Sequence, residues 1–186
     1  MSGHHLSALS GLLLLLCSIP ALAATPPPES PKAKQEAQKL SQLPPVTPRG
    51  HLDRSGRKQR GRASYYAKKF TNRKMADGNR FNPHSNVAAS KTLPLGTTAK
   101  VTNLRNGKSA MVTVEDRGPH VDGRVVDLTP KVADELEMKK SGVAPVVVAP
   151  VTVPQPDGAV KLGAGAAEAS PQEVENATRQ TAATTR

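Results

Sequence analysis

The chain of 186 residues has one cysteine, no tryptophan, two tyrosines and two phenylalanines. With Cys17 alone, no intramolecular disulfide can form, so any core must hold without covalent staples. With so few aromatics there is no array of rings on which bases could stack, as single-strand nucleic-acid binders require. Long apolar runs are missing too. The richest, Leu12 to Leu16, falls far short of the ~20 residues a membrane-spanning helix needs. No His/Cys grouping has metal-ligand spacing.

Positive charge is abundant: 26 Lys and Arg against 15 Asp and Glu give a formal charge of +11. The first 23 residues carry the apolar run and then Ala21-Leu22-Ala23, small residues spaced as at a signal-peptidase site. Residues 1–23 are therefore expected to be an export signal. Cys17 follows Leu16, a poor lipidation context, and leaves with the signal. Residues 24–60 read as a linker, with Pro26-Pro27-Pro28, Pro44-Pro45 and Pro48 favouring extended backbone. Its later part is a basic run, Arg49, Arg54, Arg57, Lys58, Arg60 and Arg62. A solvated tether, attraction to an anionic envelope surface and nucleic-acid binding compete to explain it. Export argues against nucleic acid.

Residues 61–153 change to short strand-like runs with turn signals, the pattern of a small β-barrel or sandwich. Strands are expected at Ala63 to Ala67, Thr98 to Leu104, Ser109 to Glu115 and Arg124 to Leu128. Asn106-Gly107 reads as a type I′ hairpin turn between the second and third. Thr71 to Pro94 reads as one long loop, a length that in compact domains goes with function or disorder. Thr129 caps a short helix with Pro130 at its first position; Lys139 and Lys140 suit its C-terminus, and Gly142 ends it. Ala144 to Val153 is expected to be the final strand, limited to edge or bulged pairing by Pro145 and Pro150. Residues 154–186 are expected to be a disordered tail.

The chemistry centres on Val112-Thr113-Val114-Glu115-Asp116-Arg117-Gly118-Pro119. Alternation sets Asp116 on the Val112/Val114 face at the strand's end, just before a Gly-Pro break. A carboxyl at the mouth of an apolar face suits a general acid, because desolvation raises its pKa. A surface aspartate capping the Gly118 turn is the plain alternative. Alternation also puts Tyr65 and Tyr66 on opposite faces, leaving one ring free for a cleft, where it can pack on a sugar, or for ordinary partial burial.

Taken together, Ala63-Ser64-Tyr65-Tyr66, Ala76-Asp77-Gly78, Lys91-Thr92-Leu93-Pro94-Leu95-Gly96, Val101-Thr102-Asn103-Leu104, Asn106-Gly107, Asp116-Arg117-Gly118-Pro119 and Gly123-Arg124-Val125-Val126-Asp127-Leu128 resemble the rare lipoprotein A family. The resemblance implies a six-stranded double-psi β-barrel over residues 61–153. It implies lytic cleavage of the peptidoglycan bond between N-acetylmuramic acid and N-acetylglucosamine, leaving a 1,6-anhydro end. Asp116 would be the catalytic acid/base, with Tyr66, Asn79, Ser90, Lys91 and Arg117 on the substrate side and Asp127 as structural support. It further implies no metal and no cofactor, glycan strands as partner and a periplasmic or wall-associated location. Two positions depart from the family pattern. Asn79 stands where a glutamate is common and Ser90 where a histidine is common, and neither can ionise in its place. Asp77 or His84 could compensate from the same loop. The same residues therefore also allow a glycan-binding module whose chemistry is weak or lost.

Overall fold

The computed structural model describes residues 52–184. The expected export signal, Cys17 and most of the linker lie outside them. Among the described residues seven strands run in chain order: β1 (Gln59–Tyr65), β2 (Val87–Ser90), β3 (Thr98–Asn103), β4 (Ser109–Asp116), β5 (Arg124–Leu128), β6 (Ala144–Pro154) and β7 (Val160–Leu162). Two α-helices join them, α1 (Pro130–Glu135) and α2 (Pro171–Thr184). The sheet order is β1-β5-β2-β4-β3-β6, and β6 pairs back onto β1, so six strands close into a barrel. β7 adds to β6 outside the ring. The β1–β5 and β2–β4 pairs are parallel and the other pairs antiparallel, the mixed connectivity of a double-psi barrel.

Closure explains the core. Inward residues alternate along the strands and meet at the centre, where Val101, Val112, Val114, Leu128, Val146 and Val148 are almost wholly buried. β-Branched side chains dominate, as a pleated, half-buried surface favours. Leu93, Leu136 and Met138 plug the openings from loops and from the turn after α1. A smaller cluster of Met75, Phe81 and Val87, with Tyr66 and Phe70 against it, sits under the excursion between β1 and β2. That cluster bears on the site.

Several expectations change. Part of the long loop is a strand: β2 is buried at all four residues, so no alternation marks it. The β3–β4 hairpin closes with a four-residue loop, Asn103 N–H to Lys108 O and Gly107 N–H to Asn103 O. Only Gly107 in that loop has positive φ, so the turn is not type I′. α1 keeps its Thr129 cap on the Val132 N–H at 3.4 Å but stops at Glu135, and Glu137 takes a left-handed φ of 52° before a separate 3-10 turn, Lys139–Ser141. Of the edge or bulged pairing expected for β6, the structure shows the bulged one. β6 pairs with β1, β3 and β7, and a register shift between Thr98 and Ala99 accommodates Pro150 opposite Ala99.

Residues 154–184 are ordered structure rather than a disordered tail. The physical reason is a reciprocal cap and a small-residue stripe. Ser170 N–H donates to Glu173 Oε2 at 2.7 Å, and Glu173 N–H donates to Ser170 Oγ at 3.3 Å, which starts α2 as a capping box. Ala177 and Thr181 then bury against the barrel. The Thr181 hydroxyl bonds Gly96 O at 2.9 Å and meets Thr152 Oγ1 at 2.8 Å. The linker likewise ends earlier than residue 60, since Gln59 and Arg60 already pair with β6.

Candidate active site

A cleft of about 600 Å³ opens where the end of β4, the outer face of β1 and β5, and the β1–β2 excursion converge. Asp116 closes β4 and lines this cleft, but not from the expected Val112/Val114 face. The β2–β4 register shifts between Ala88 and Ala89, Glu115 is the extra residue, and Asp116 pairs with Ala89, the residue that also faces Asp127. Three donors from three segments hold its carboxylate. Ala76 N–H and Arg117 N–H reach Oδ1 at 3.0 and 2.8 Å, and the Tyr66 hydroxyl reaches Oδ2 at 2.7 Å. Oδ1 is thus committed to backbone donors, and Oδ2 is the oxygen with capacity to spare. Gly118 follows with φ 140°, a value only glycine takes readily, and lets the chain turn away from the carboxylate.

Tyr66 is fixed as firmly as its partner. Its ring lies 4.6 Å from Phe81 and 5.6 Å, edge-on, from Phe70, centroid to centroid. Burial, then the bond to Asp116, push its phenol well above the usual tyrosine range. It therefore keeps its proton throughout the neutral pH range. Tyr65 points the other way, packed on the main core. The alternation at this pair is as the sequence suggests, but Tyr66 offers its hydroxyl to the acid as well as an edge of ring to the cleft.

Arg117 lines the cleft while its guanidinium turns inward. Nη1 donates to Leu93 O at 2.6 Å and Ser90 O at 3.1 Å. Burial lowers its pKa, with the charge of Asp116 opposing. The side chain fastens the 90–93 turn under the acid's strand. Asp127 faces the same cleft from β5, its side chain 18% exposed, accepting a hydrogen bond from Ser64 Oγ with Arg124 Nη1 3.9 Å away. Arg124 also donates to Ser64 Oγ at 2.6 Å. This Ser64–Asp127–Arg124 group holds β1 to β5 at the cleft wall, and Ser64 and Arg124 were not singled out from the sequence. The alternation of β1 beyond the Tyr pair was the signal available for Ser64.

Other expected residues are not brought into the cleft. Ser90 is 1% exposed, and its hydroxyl accepts from Leu93 N–H at 3.1 Å and Thr92 N–H at 3.3 Å. It is a turn-former. Lys91 is half-buried beside it and outside the cleft lining. Asn79 is exposed and turned to Asp77, with Nδ2 to Oδ2 at 2.7 Å and N–H to Oδ1 at 2.9 Å. Asp77 is occupied by these bonds, and exposed His84 lies outside the lining as well. Cations that sequence reasoning passed over do line the cleft, namely Lys69, Arg73 and Lys74. Lys69 Nζ and Arg73 Cζ each lie 5.5 Å from the Phe70 ring centroid. With Arg117 and Arg124 they set five cationic side chains against two carboxylates, so the cleft favours an anionic ligand. Among the described residues no group of three or more His, Cys, Asp or Glu could hold a metal ion.

Residues 58–148 match the family model described as lytic transglycolase. Among curated relatives, the stretch is 48% identical over 88 residues to the probable endolytic peptidoglycan transglycosylase RlpA of Synechocystis sp., covering 47% of this chain and 27% of that one. It is 50% identical over 86 residues to the Aquifex aeolicus counterpart, covering 46% and 38%. The endolytic peptidoglycan transglycosylase RlpA of Vibrio cholerae is 43% identical over 96 residues, covering 52% and 36%. The chain thus spans about a quarter to two fifths of the relatives it matches. Among solved structures, a Streptomyces papain inhibitor aligns with TM-score 0.41 and 23% identity, over 53% of this chain and 96% of that one. A Clavibacter michiganensis expansin in complex with cellohexaose aligns with TM-score 0.40 and 19% identity, over 50% of each chain.

Proposed function

The barrel segment of this chain, residues 58–148, belongs to the rare lipoprotein A family of lytic transglycosylases, and from that premise we propose that the protein is an endolytic peptidoglycan lytic transglycosylase with Asp116 as its general acid/base. The bond cut is the β-1,4 link between N-acetylmuramic acid and N-acetylglucosamine. The observation that carries this reading is the seating of Asp116 in the cleft wall, with Oδ1 tied to two backbone N–H groups and Oδ2 bound, among the described residues, by the Tyr66 hydroxyl alone.

Ordinary glycosidases place two carboxyls about the scissile bond, one as acid and one to activate water or attack the sugar. A lytic cut needs no water. The muramyl C6 hydroxyl attacks C1 of its own ring, so a single carboxyl can serve twice. Asp116 Oδ2 gives its proton to the departing glycosidic oxygen, then takes the proton of the C6 hydroxyl as the anhydro ring closes. Tyr66 suits both states, because a phenol hydroxyl donates to a carboxylate and accepts from a carboxylic acid. Asp127, bonded to Ser64 and facing Arg124, acts on this reading as wall and support. The positive lining attracts a strand that carries carboxylates. Such a substrate implies an extracytoplasmic location, periplasmic or wall-associated.

The test is digestion of purified glycan strands, with and without stem peptides, by the protein and its Asp116→Asn variant, with mass analysis of the ends. Anhydro-muramyl ends from the wild type and none from the variant are expected. Reducing ends would refute the internal attack. Strands that stay intact yet co-sediment with both proteins would mean a glycan-binding module, the reading that Asn79 and Ser90 favour.

A further inference from the structure

The positive surface does not stop at the cleft. On β1 alternate residues face outward: Arg60 and Arg62 are exposed, while Gly61 and Ala63 between them are buried. Ser64, next on the outward side, lines the cleft. In the pairing of β1 with β5, Arg62 stands in register with Arg124, and Ser64 with Asp127. A line of cations therefore leaves the cleft wall at Arg124 and continues over Arg62 to Arg60. At a strand rise of about 3.3 Å per residue, Ser64 to Arg60 spans roughly 13 Å.

Neither Arg60 nor Arg62 has an ion-pair or side-chain hydrogen-bond partner among the described residues. Lys58, two positions before Arg60, is by contrast neutralised by Glu168. The unpaired charge is thus bounded: it starts at the cleft and ends where a carboxylate is supplied. Such an arrangement costs self-repulsion in the free protein and is relieved when an anionic chain lies along it.

We propose that the outer face of β1, through Arg60 and Arg62, is a polymer-binding surface continuous with the cleft, and that it holds the carboxylates of an anionic polysaccharide strand beyond the unit lying at Asp116. The proposal rests on the reading of the cleft as a glycan site. It adds that contact with the strand extends past that site along one strand of the barrel.

Binding, rather than cleavage, is the readout that separates the two. Affinity is measured at low and high salt for the wild type, Arg60→Gln/Arg62→Gln, and a control, Arg105→Gln/Lys161→Gln, which removes the same charge from exposed positions outside the cleft and off the outer face of β1. Probes are purified glycan strands, the same strands with carboxyls amidated, and polygalacturonate as an unrelated carboxylated polysaccharide. Thermal unfolding checks that each variant is folded. Arg60→Gln/Arg62→Gln is expected to bind carboxylated strands roughly two- to thirty-fold more weakly, as for two exposed ion pairs. The control should match the wild type, and the difference should vanish at high salt and on amidated strands. Equal weakening by both double variants, or none by either, overturns the track and leaves the glycan reading standing. Arginine-dependent binding of polygalacturonate without binding of glycan strands keeps a polysaccharide track but removes the wall glycan as its ligand.

Discussion

Tyr66→Phe isolates one hydrogen bond in the proposed machinery. The substitution removes the hydroxyl 2.7 Å from Asp116 Oδ2 and keeps the ring that packs on Phe81 and Phe70. Fold and cleft shape should therefore survive, and the loss should fall on the acid. A hydrogen bond to a charged group contributes about 1.5–3 kcal/mol. If that bond orients Oδ2 in the transition state, turnover drops by roughly ten- to a hundred-fold. Substrate KM should barely move, because Oδ1 keeps both backbone donors and the walls are unchanged. Steady-state cleavage of soluble glycan strands, followed by release of anhydro ends, gives the split. A second readout is alkaline stability. The Tyr66 phenol titrates above its unfolded value, so the unfolded chain loses that proton first, from about pH 10. Its contribution to stability is complete below that pH and is lost as pH rises further. Tyr66→Phe should flatten this alkaline decline. A variant with wild-type turnover would refute the claim that the phenol serves the acid. A raised KM at unchanged turnover would mean that the hydroxyl binds the sugar rather than serving the acid.

Gly118→Ala tests the turn behind the acid. An added Cβ meets only ordinary contacts, Ala89 Cβ at 3.8 Å and Asp127 Oδ2 at 3.9 Å, so the cost is backbone strain at φ 140°, about 1–3 kcal/mol, read from the denaturant midpoint. Glu115→Gln should raise the melting temperature at neutral pH and have little effect near pH 4. Burial and then Asp77 raise the Glu115 pKa in the folded state, so its carboxylate burdens the fold as pH rises through that value; an equal effect at both pH values would refute this. Thr181→Val removes the hydroxyl that bonds Gly96 O and meets Thr152. It should cost about 1–3 kcal/mol and speed proteolysis after β7, whereas an unchanged cleavage pattern would mean that α2 is not held by this contact.

The parts of the fold that were legible obey one of two periods. β4 alternates Val112, Thr113, Val114 and Glu115, which marked the strand, but its register with β2 shifts after Val114, so Asp116 stands opposite Ala89 and off the Val112/Val114 face that alternation predicts. Thr129-Pro130 announced α1. Where both faces are covered, the period vanishes. Val87-Ala88-Ala89-Ser90 is buried throughout, and its small side chains look no different from loop. α2 was missed because its buried stripe is made of small and hydroxyl residues. Val174, Ala177, Thr178 and Thr181 follow helical spacing and are half-buried or buried, but their anchoring comes from hydroxyl hydrogen bonds rather than bulk. Its Ser170-x-x-Glu173 capping box was readable in principle. In the site, residue type was a poor guide for Ser90: a hydroxyl before Lys-Thr-Leu-Pro can reach a ligand or close its own turn, and two backbone N–H groups take it.

The two departures from the family pattern bear less on Asp116 than their chemistry suggests. If ionisable groups at 79 and 90 held the acid in place, their replacement would leave its oxygens short of donors. Both oxygens are supplied from elsewhere. Oδ1 is bound by the main chain at Ala76 and Arg117, which no side-chain exchange at 79 or 90 removes. Oδ2 is bound by Tyr66, whose ring is clamped from the same excursion that carries Ala76. Ser90, for its part, still shapes the turn whose carbonyls Arg117 grips. On the proposed reading, what Asn79 and Ser90 change is the supply of an ionisable group near the sugar ring. Asn79 is exposed and turned to Asp77, and Ser90 is buried in its own turn, so neither lends the cleft a charge during bond breaking. Slow turnover with intact strand binding, rather than a misplaced acid, is the outcome this arrangement implies.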